Sequence, residues 1–346
     1  MKKLLIVSSD TIHVYNYLKL IEGYFDEVLL LTNRKNPDYQ YATRVLNFSL
    51  RNPLNYFRTT YQIRKAIQEF KPDVIHVHQA NSYAYFTFRA AKGIPVPKVL
   101  TAWGSDILLL PSQSPTLKKM VQFNIASADA ITSDSSYMAE EVKRLEPSFQ
   151  RDILIANFGI NVEPVVLPKE NIIYSNRLHK PLYRIDKIIK AFSKFISESN
   201  DKSWKLVIAA TGEETENLKT LTTSLNIQQF VEFAGWVDKQ KNSEYYAKAK
   251  FFVSIPESDA TSISLLEAMA FGCLPVVSDL PANREWIKDG VNGIVVKNMN
   301  DNFLAEAFSV NLEEASAMNK KIIEEHGTKE ANRKKFFRLY DQLLKK

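Results

Sequence analysis

Two carboxylates, Asp259 and Glu267, bracket the small polar segment Ala260-Thr261-Ser262-Ile263-Ser264. An apolar strand pattern, Phe251–Ile255, precedes them and runs into a polar turn holding Glu257, Ser258 and Asp259. An apolar helix pattern and a second strand, Leu274 to Val277, follow. A hydroxyl-rich helix start offers unpaired N–H groups and the positive end of a dipole, the chemistry that holds a phosphate. Glu267, deeper in the helix, has the chemistry to hold sugar hydroxyls. The plainer reading of the stretch Phe252–Ile287 is a βαβ unit with a well-capped helix and no ligand.

The elements that must position these groups are written in the rest of the chain. Its 346 residues suit two domains of ordinary size. With 45% hydrophobic and 24% charged residues, the composition is that of a globular protein, and no apolar run is long enough to span a bilayer. Asp10 and His13 interrupt the apolar start, so a buried first strand is expected there rather than a signal peptide. The single Cys273 excludes an internal disulfide and a cysteine-rich zinc site, and its apolar neighbours suit a core position. A cytoplasmic location is expected. Residues 1–119 carry 16 Lys and Arg against 8 Asp and Glu, which marks that half as the one facing an anionic partner or carrying a solvated basic face.

Strand and helix patterns alternate in both halves. The first half reads as strands at Leu4–Ser8, Glu27–Thr32, Asp73–His78, Lys98–Thr101 and Ala128–Thr132, with helices at Val14–Phe25 and Leu54–Phe70 among those between them. The second half reads as strands at Asn171–Ser175, Lys205–Ala210 and Val231–Phe233, then the strand–helix–strand stretch described first. Such alternation predicts parallel sheets covered on both faces. Val162-Glu163-Pro164-Val165-Val166-Leu167-Pro168 reads as a linker. The expected division is residues 1–163, 164–325, and a helical tail over 326–346. No Gly-x-Gly-x-x-Gly or Walker sequence is present, which argues against a classical NAD(P) or FAD site. His76 and His78 are expected on opposite faces of one strand, so they cannot easily share a metal ion and at most one of them faces a ligand; no metal site is expected.

The run Leu265-Leu266-Glu267-Ala268-Met269-Ala270, with Asp259 counted back to the first acidic position, resembles the signature of family 4 retaining glycosyltransferases. That family has the GT-B fold. The resemblance implies two Rossmann-like parallel-sheet domains facing across a cleft, closed by a C-terminal helical tail. The family places Glu where Asp259 stands, and Glu257 is the alternative for that role. Ser175-Asn176-Arg177-Leu178 matches the segment that puts an arginine on the donor diphosphate, and a guanidinium grips a diphosphate in a bidentate way. Tyr183 occupies the position of the family's lysine, with Arg184 beside it. Gly235, closing Val231-Glu232-Phe233-Ala234-Gly235, matches the loop that approaches the nucleotide base. Thr101-Ala102-Trp103-Gly104-Ser105-Asp106 is similar to the family's His-Gly-Ser-Asp loop, with Trp103 in place of histidine.

The resemblance therefore implies a donor site of Arg177, Tyr183, Arg184, Gly235, Thr261, Ser262, Ile263 and Glu267. Asp259, Trp103, Asp106 and His13 are the candidates for the chemistry, His13 standing after the first strand. The implied reaction is transfer of a sugar, retaining its configuration, from a nucleotide-diphosphate sugar, UDP- or GDP-linked, with no metal. Arg51-Asn52-Pro53-Leu54-Asn55-Tyr56-Phe57-Arg58 interleaves basic and aromatic residues before Arg64-Lys65, a pattern suited to an anionic membrane surface or to packing on the sheet. The implied acceptor is a lipid-linked saccharide of bacterial surface glycan synthesis, with peripheral attachment to the cytoplasmic membrane face and no nucleic-acid partner. Two other readings stand beside it. One is a sugar-nucleotide epimerase or hydrolase of the same fold, the other a non-catalytic two-domain binding protein.

Overall fold

The computed structural model describes residues 1–161, 165–259, 261–299 and 302–345. The chain divides into two compact units, Met1–Phe158 with Lys329–Lys346, and Gly159–Thr328. Part of the expected linker, residues 162–164, and with it the expected boundary at 163/164, lies outside the described residues, as does Ala260 of the small polar segment.

Among the described residues, the first unit holds seven parallel strands: β1 (Lys3–Val7), β2 (Glu27–Thr32), β3 (Ala42–Val45), β4 (Val74–His78), β5 (Lys98–Thr101), β6 (Ala130–Ser133) and β7 (Ile153–Ile155). Their order is β3-β2-β1-β4-β5-β6-β7. The described residues of the second unit form six: β8 (Glu170–Ser175), β9 (Lys205–Ala209), β10 (Val231–Gly235), β11 (Ala249–Ser254), β12 (Leu274–Ser278) and β13 (Ile294–Val296), ordered β10-β9-β8-β11-β12-β13. All pairings are parallel. Parallel strands need helical crossovers, which cover both faces and make the central strands near-continuous apolar runs. Each unit accordingly carries an apolar cluster on each side of its sheet. The two-domain Rossmann-like architecture expected from the alternation is the one observed.

The order reverses once in each sheet, between β1 and β4 in the first and between β8 and β11 in the second. Ligands of open parallel sheets bind outside the carboxyl ends of the strands at such a reversal. The C-terminal helix Lys329–Leu344 belongs to the first unit, where Phe336, Tyr340 and Leu343 bury beside Tyr17 and Leu18 of the helix Ile12–Leu20. Tyr340 also hydroxyl-bonds to Tyr17 and meets His76 Nδ1 at 2.7 Å.

The histidine expectation is corrected here. His76 and His78 share one face of β4, with ring centroids 4.9 Å apart, because side chains two residues apart in a strand point to the same side. Both are fully buried. His76 is spent on hydrogen bonds to Tyr17, Tyr340 and Thr101. No group of three or more metal-ligating side chains occurs among the described residues.

Candidate functional site

Each unit carries a cluster of candidate residues at the carboxyl ends of its strands. In the second unit the cluster sits at the reversal. Arg177 follows β8 and Asp259 follows β11, and Arg177 Nη2 lies 2.7 Å from Asp259 Oδ2. Arg177 Nη1 donates to Ser262 Oγ at 2.5 Å. Ser262 is also the N-cap of the helix Ile263–Ala270, its side chain accepting from the Leu265 N–H. One serine thus fixes a helix start and a guanidinium together. The first turn of any helix leaves N–H groups without intrahelical partners, so this terminus and the Arg177 fork converge as anion donors.

The guanidinium of Arg177 lies over the Tyr183 ring, 4.5 Å from its centroid. Tyr183, in the position where lysine was expected, therefore braces the flat face of Arg177 through a cation–π contact. Arg184, in a left-handed conformation at the N-cap of the helix Ile185–Glu198, pairs with Glu257 at 3.1 Å. The two acidic alternatives thus have different partners. Asp259 holds Arg177, and Glu257, exposed, holds Arg184.

Glu267 projects from the second turn of the helix Ile263–Ala270 and is half-buried. Burial raises its carboxyl above the usual carboxylate range, opposed by hydrogen bonds from Tyr246 and Asn242. Beneath it, Asn176 donates to Asn242 at 3.0 Å and to the Tyr246 hydroxyl at 2.8 Å, and Tyr174 donates to Asn242 at 2.6 Å. These residues escaped the sequence reading. Asn242 and Tyr246 stand four apart on one helix face, and Asn176 is the neighbour of Arg177; that spacing was the available signal. Gly235 ends the edge strand β10 at φ 66°, where a side chain would be strained, and Trp236 next to it is 75% exposed.

In the first unit His13, Trp103 and Asp106 come together. His13 and Trp103 meet edge to face with centroids 5.1 Å apart. Asp106 is buried, and its two oxygens accept the Trp103 N–H at 3.0 Å and the Ala80 N–H at 2.6 Å. Both oxygens hold main chain, so Asp106 shapes the loop that carries Trp103. His78, set on the wrong face by the opposite-face expectation, is a fourth member. Trp103 Nε1–H donates to His78 Nδ1 at 3.2 Å. Burial first, then the charge of His13, pushes His78 down to about 3, so its ring stays neutral and Nδ1 remains an acceptor at physiological pH.

Residues 160–328 match the family model described as glycosyl transferases group 1, and residues 2–135 match glycosyl transferase 4-like. An uncharacterized glycosyltransferase of Haemophilus influenzae is 25% identical over 271 residues, 75% of this chain and 72% of that one. Alpha-monoglucosyldiacylglycerol synthase of Streptococcus pneumoniae is 30% identical over 117 residues, 34% of this chain and 26% of that one. That alignment, and one with an uncharacterized glycosyltransferase of Methanocaldococcus jannaschii, span under a third of the relatives' own lengths. Among solved structures, Anabaena HepE in complex with UDP is similar at TM-score 0.79 and 12% identity, covering 99% of this chain and all of that one. At that identity the likeness speaks for the fold alone.

Proposed function

We infer, from a chain that belongs to the group 1, family 4-like glycosyltransferases of GT-B fold, that it moves a hexose from a nucleotide-diphosphate sugar to a hydroxyl of a lipid-linked saccharide, retaining configuration. The observation that carries this reading is the Arg177–Asp259–Ser262 cluster at the strand-order reversal, with Glu267 on the same helix. A UDP or GDP donor is the preferred class, in keeping with the UDP bound by a structural neighbour.

In the transfer, the acceptor oxygen bonds to the anomeric carbon as the bond from that carbon to the β-phosphate oxygen breaks. Charge builds on the leaving phosphate, and groups already aimed there lower the barrier. Arg177 is held in place before the donor arrives, by Asp259, Ser262 and the Tyr183 ring, so little reorganisation is needed. Arg184 supplies the second cation after exchanging Glu257 for phosphate. These cations and the helix start take the role of a divalent ion, and the rate should be unchanged by EDTA. Glu267 binds the donor ribose hydroxyls, while Asp259 orients the transferred sugar. Retention follows if the leaving phosphate takes the acceptor proton on the same face, which requires no carboxylate nucleophile of the kind used by retaining hydrolases. Trp103 and His13 line the approach of the attacking acceptor hydroxyl.

The membrane part of the reading rests on the helix Pro53–Phe70. Leu54, Phe57 and Tyr61 recur at helical spacing and are 76%, 69% and 67% exposed, while Tyr56 packs inward. An exposed apolar stripe among basic residues suits the surface of an anionic bilayer. No described helix is long and apolar enough to cross one.

The test is incubation with UDP-, GDP-, ADP- and CMP-linked sugars and a lipid-phosphate acceptor. Donor-dependent glycan on the lipid is expected. Free sugar or an epimer formed without acceptor would overturn the reading. Glu267→Ala should fold and lose transfer; unchanged activity would remove Glu267 from the donor site.

A further inference from the structure

A hollow of about 640 Å³ opens at the carboxyl ends of β2 and β3, apart from the His13–Trp103 cluster. Asn33 enters it after β2, Asn47 after β3, and Arg58 and Gln62 from the helix Pro53–Phe70. Phe48 and Tyr83 form one wall as a stacked pair with centroids 4.1 Å apart. Carboxamides both give and take hydrogen bonds, and an aromatic face receives the C–H face of a sugar ring, so this lining suits a saccharide.

Two features restrict which saccharide. No carboxylate lines the hollow among the described residues, and Arg58 and Gln62 have no hydrogen-bond or ion-pair partner among them. The run from Tyr39 to Gln68 holds Arg44, Arg51, Arg58, Arg64 and Lys65 and not one Asp or Glu. The hollow therefore presents a cation with no internal counter-charge. Arg58 also stands on the helix between Phe57 and Tyr61, at the edge of the exposed apolar stripe. Apolar stripe, guanidinium and carboxamide hollow follow one another in space as alkyl chain, phosphate and sugar follow one another in a phosphate-linked glycolipid.

We propose that this hollow is the acceptor subsite for a saccharide joined to its lipid through a phosphate, with Arg58 holding the phosphate and Asn33, Asn47 and Gln62 the sugar hydroxyls. The proposal rests on the glycosyltransferase reading above and names the acceptor class within it. A guanidinium on a phosphate makes a charge-assisted, bidentate contact that a neutral glycolipid cannot offer.

The experiment is isothermal titration of the whole protein with three soluble amphiphiles: an octyl glucosyl phosphodiester, octyl glucoside and octyl phosphate. The wild type should bind the phosphodiester roughly tenfold or more tightly than either control, the scale of one charge-assisted contact. Arg58→Gln should bring phosphodiester binding down to the glucoside level while glucoside binding and the melting temperature stay unchanged. Equal binding of the glucoside, equal binding of octyl phosphate, or no effect of Arg58→Gln would overturn the proposal. Transfer onto the phosphodiester, assayed in parallel, separates the two readings. Transfer with charge-blind binding sinks the subsite alone, whereas Arg58-dependent binding with no transfer from any donor sinks the catalytic reading.

Discussion

Burial keeps the Glu267 carboxyl above its usual range, so the folded chain holds a proton there at pH values where the unfolded chain has lost it. Where the native state binds more protons than the unfolded state, stability falls as pH rises, starting near the unfolded value of about 4.3. Glu267→Gln keeps an acceptor for Tyr246 and Asn242 and removes the buried charge. It should therefore melt higher than wild type at pH 8, lose that advantage below about pH 4, and be inactive in transfer. A variant no more stable than wild type at pH 8 would show that the carboxylate is already compensated. Asp259, Ser262 and Glu267 were legible because one local segment holds them at fixed spacing, and Arg177 because its own short segment, Ser175-Asn176-Arg177-Leu178, carries the resemblance. Asn242 and Tyr246 were not, since their link to Glu267 is made only when the helix Lys239–Lys248 packs beside β8. His78 was misassigned by a miscounted strand period, and its bond to Trp103 crosses from β4 to the loop after β5.

At the scale of elements, two helices make separable predictions. Ser262→Ala removes both the cap of Ile263–Ala270 and an acceptor of Arg177. Loss of a serine cap costs about 1 kcal/mol of stability, read as a lower urea midpoint, and donor affinity should fall with it; intact donor binding would separate the cap from the site. On Pro53–Phe70, Phe57→Asp puts a charge into the exposed stripe and should cut sedimentation with phosphatidylglycerol vesicles about tenfold or more. Neutral phosphatidylcholine vesicles should bind wild type weakly, and equal binding to both would refute charge matching. The same comparison explains which strands the sequence reading found. Central strands such as Leu4–Val7 are buried on both sides and read as unbroken apolar runs. The edge strand Ala42–Val45 is mostly exposed, and Ile153–Ile155 and Ile294–Val296 have three residues each, too short to show a period. All three were missed.

For the whole molecule, the division into units makes ligand binding testable by location. Arg177, Tyr183, Arg184, Asp259, Ser262 and Glu267 all fall within Gly159–Thr328, on one sheet with cores of its own. A ligand that binds only the native form stabilises it by mass action, about 2.7 kcal/mol at a hundred times its dissociation constant. Local opening within the unit that binds should feel this first. Hydrogen exchange read by mass spectrometry, with and without saturating UDP, should therefore slow in peptides of β8, β11 and the helix Ile263–Ala270. Peptides of β1 to β7 should change little, and Glu267→Ala should erase the protection. The soluble phosphodiester should give the converse pattern, slowing exchange along β2, β3 and Pro53–Phe70. Protection of the first sheet by UDP alone would mean that the nucleotide is held there, and the donor assignment of Arg177 and Glu267 would fall.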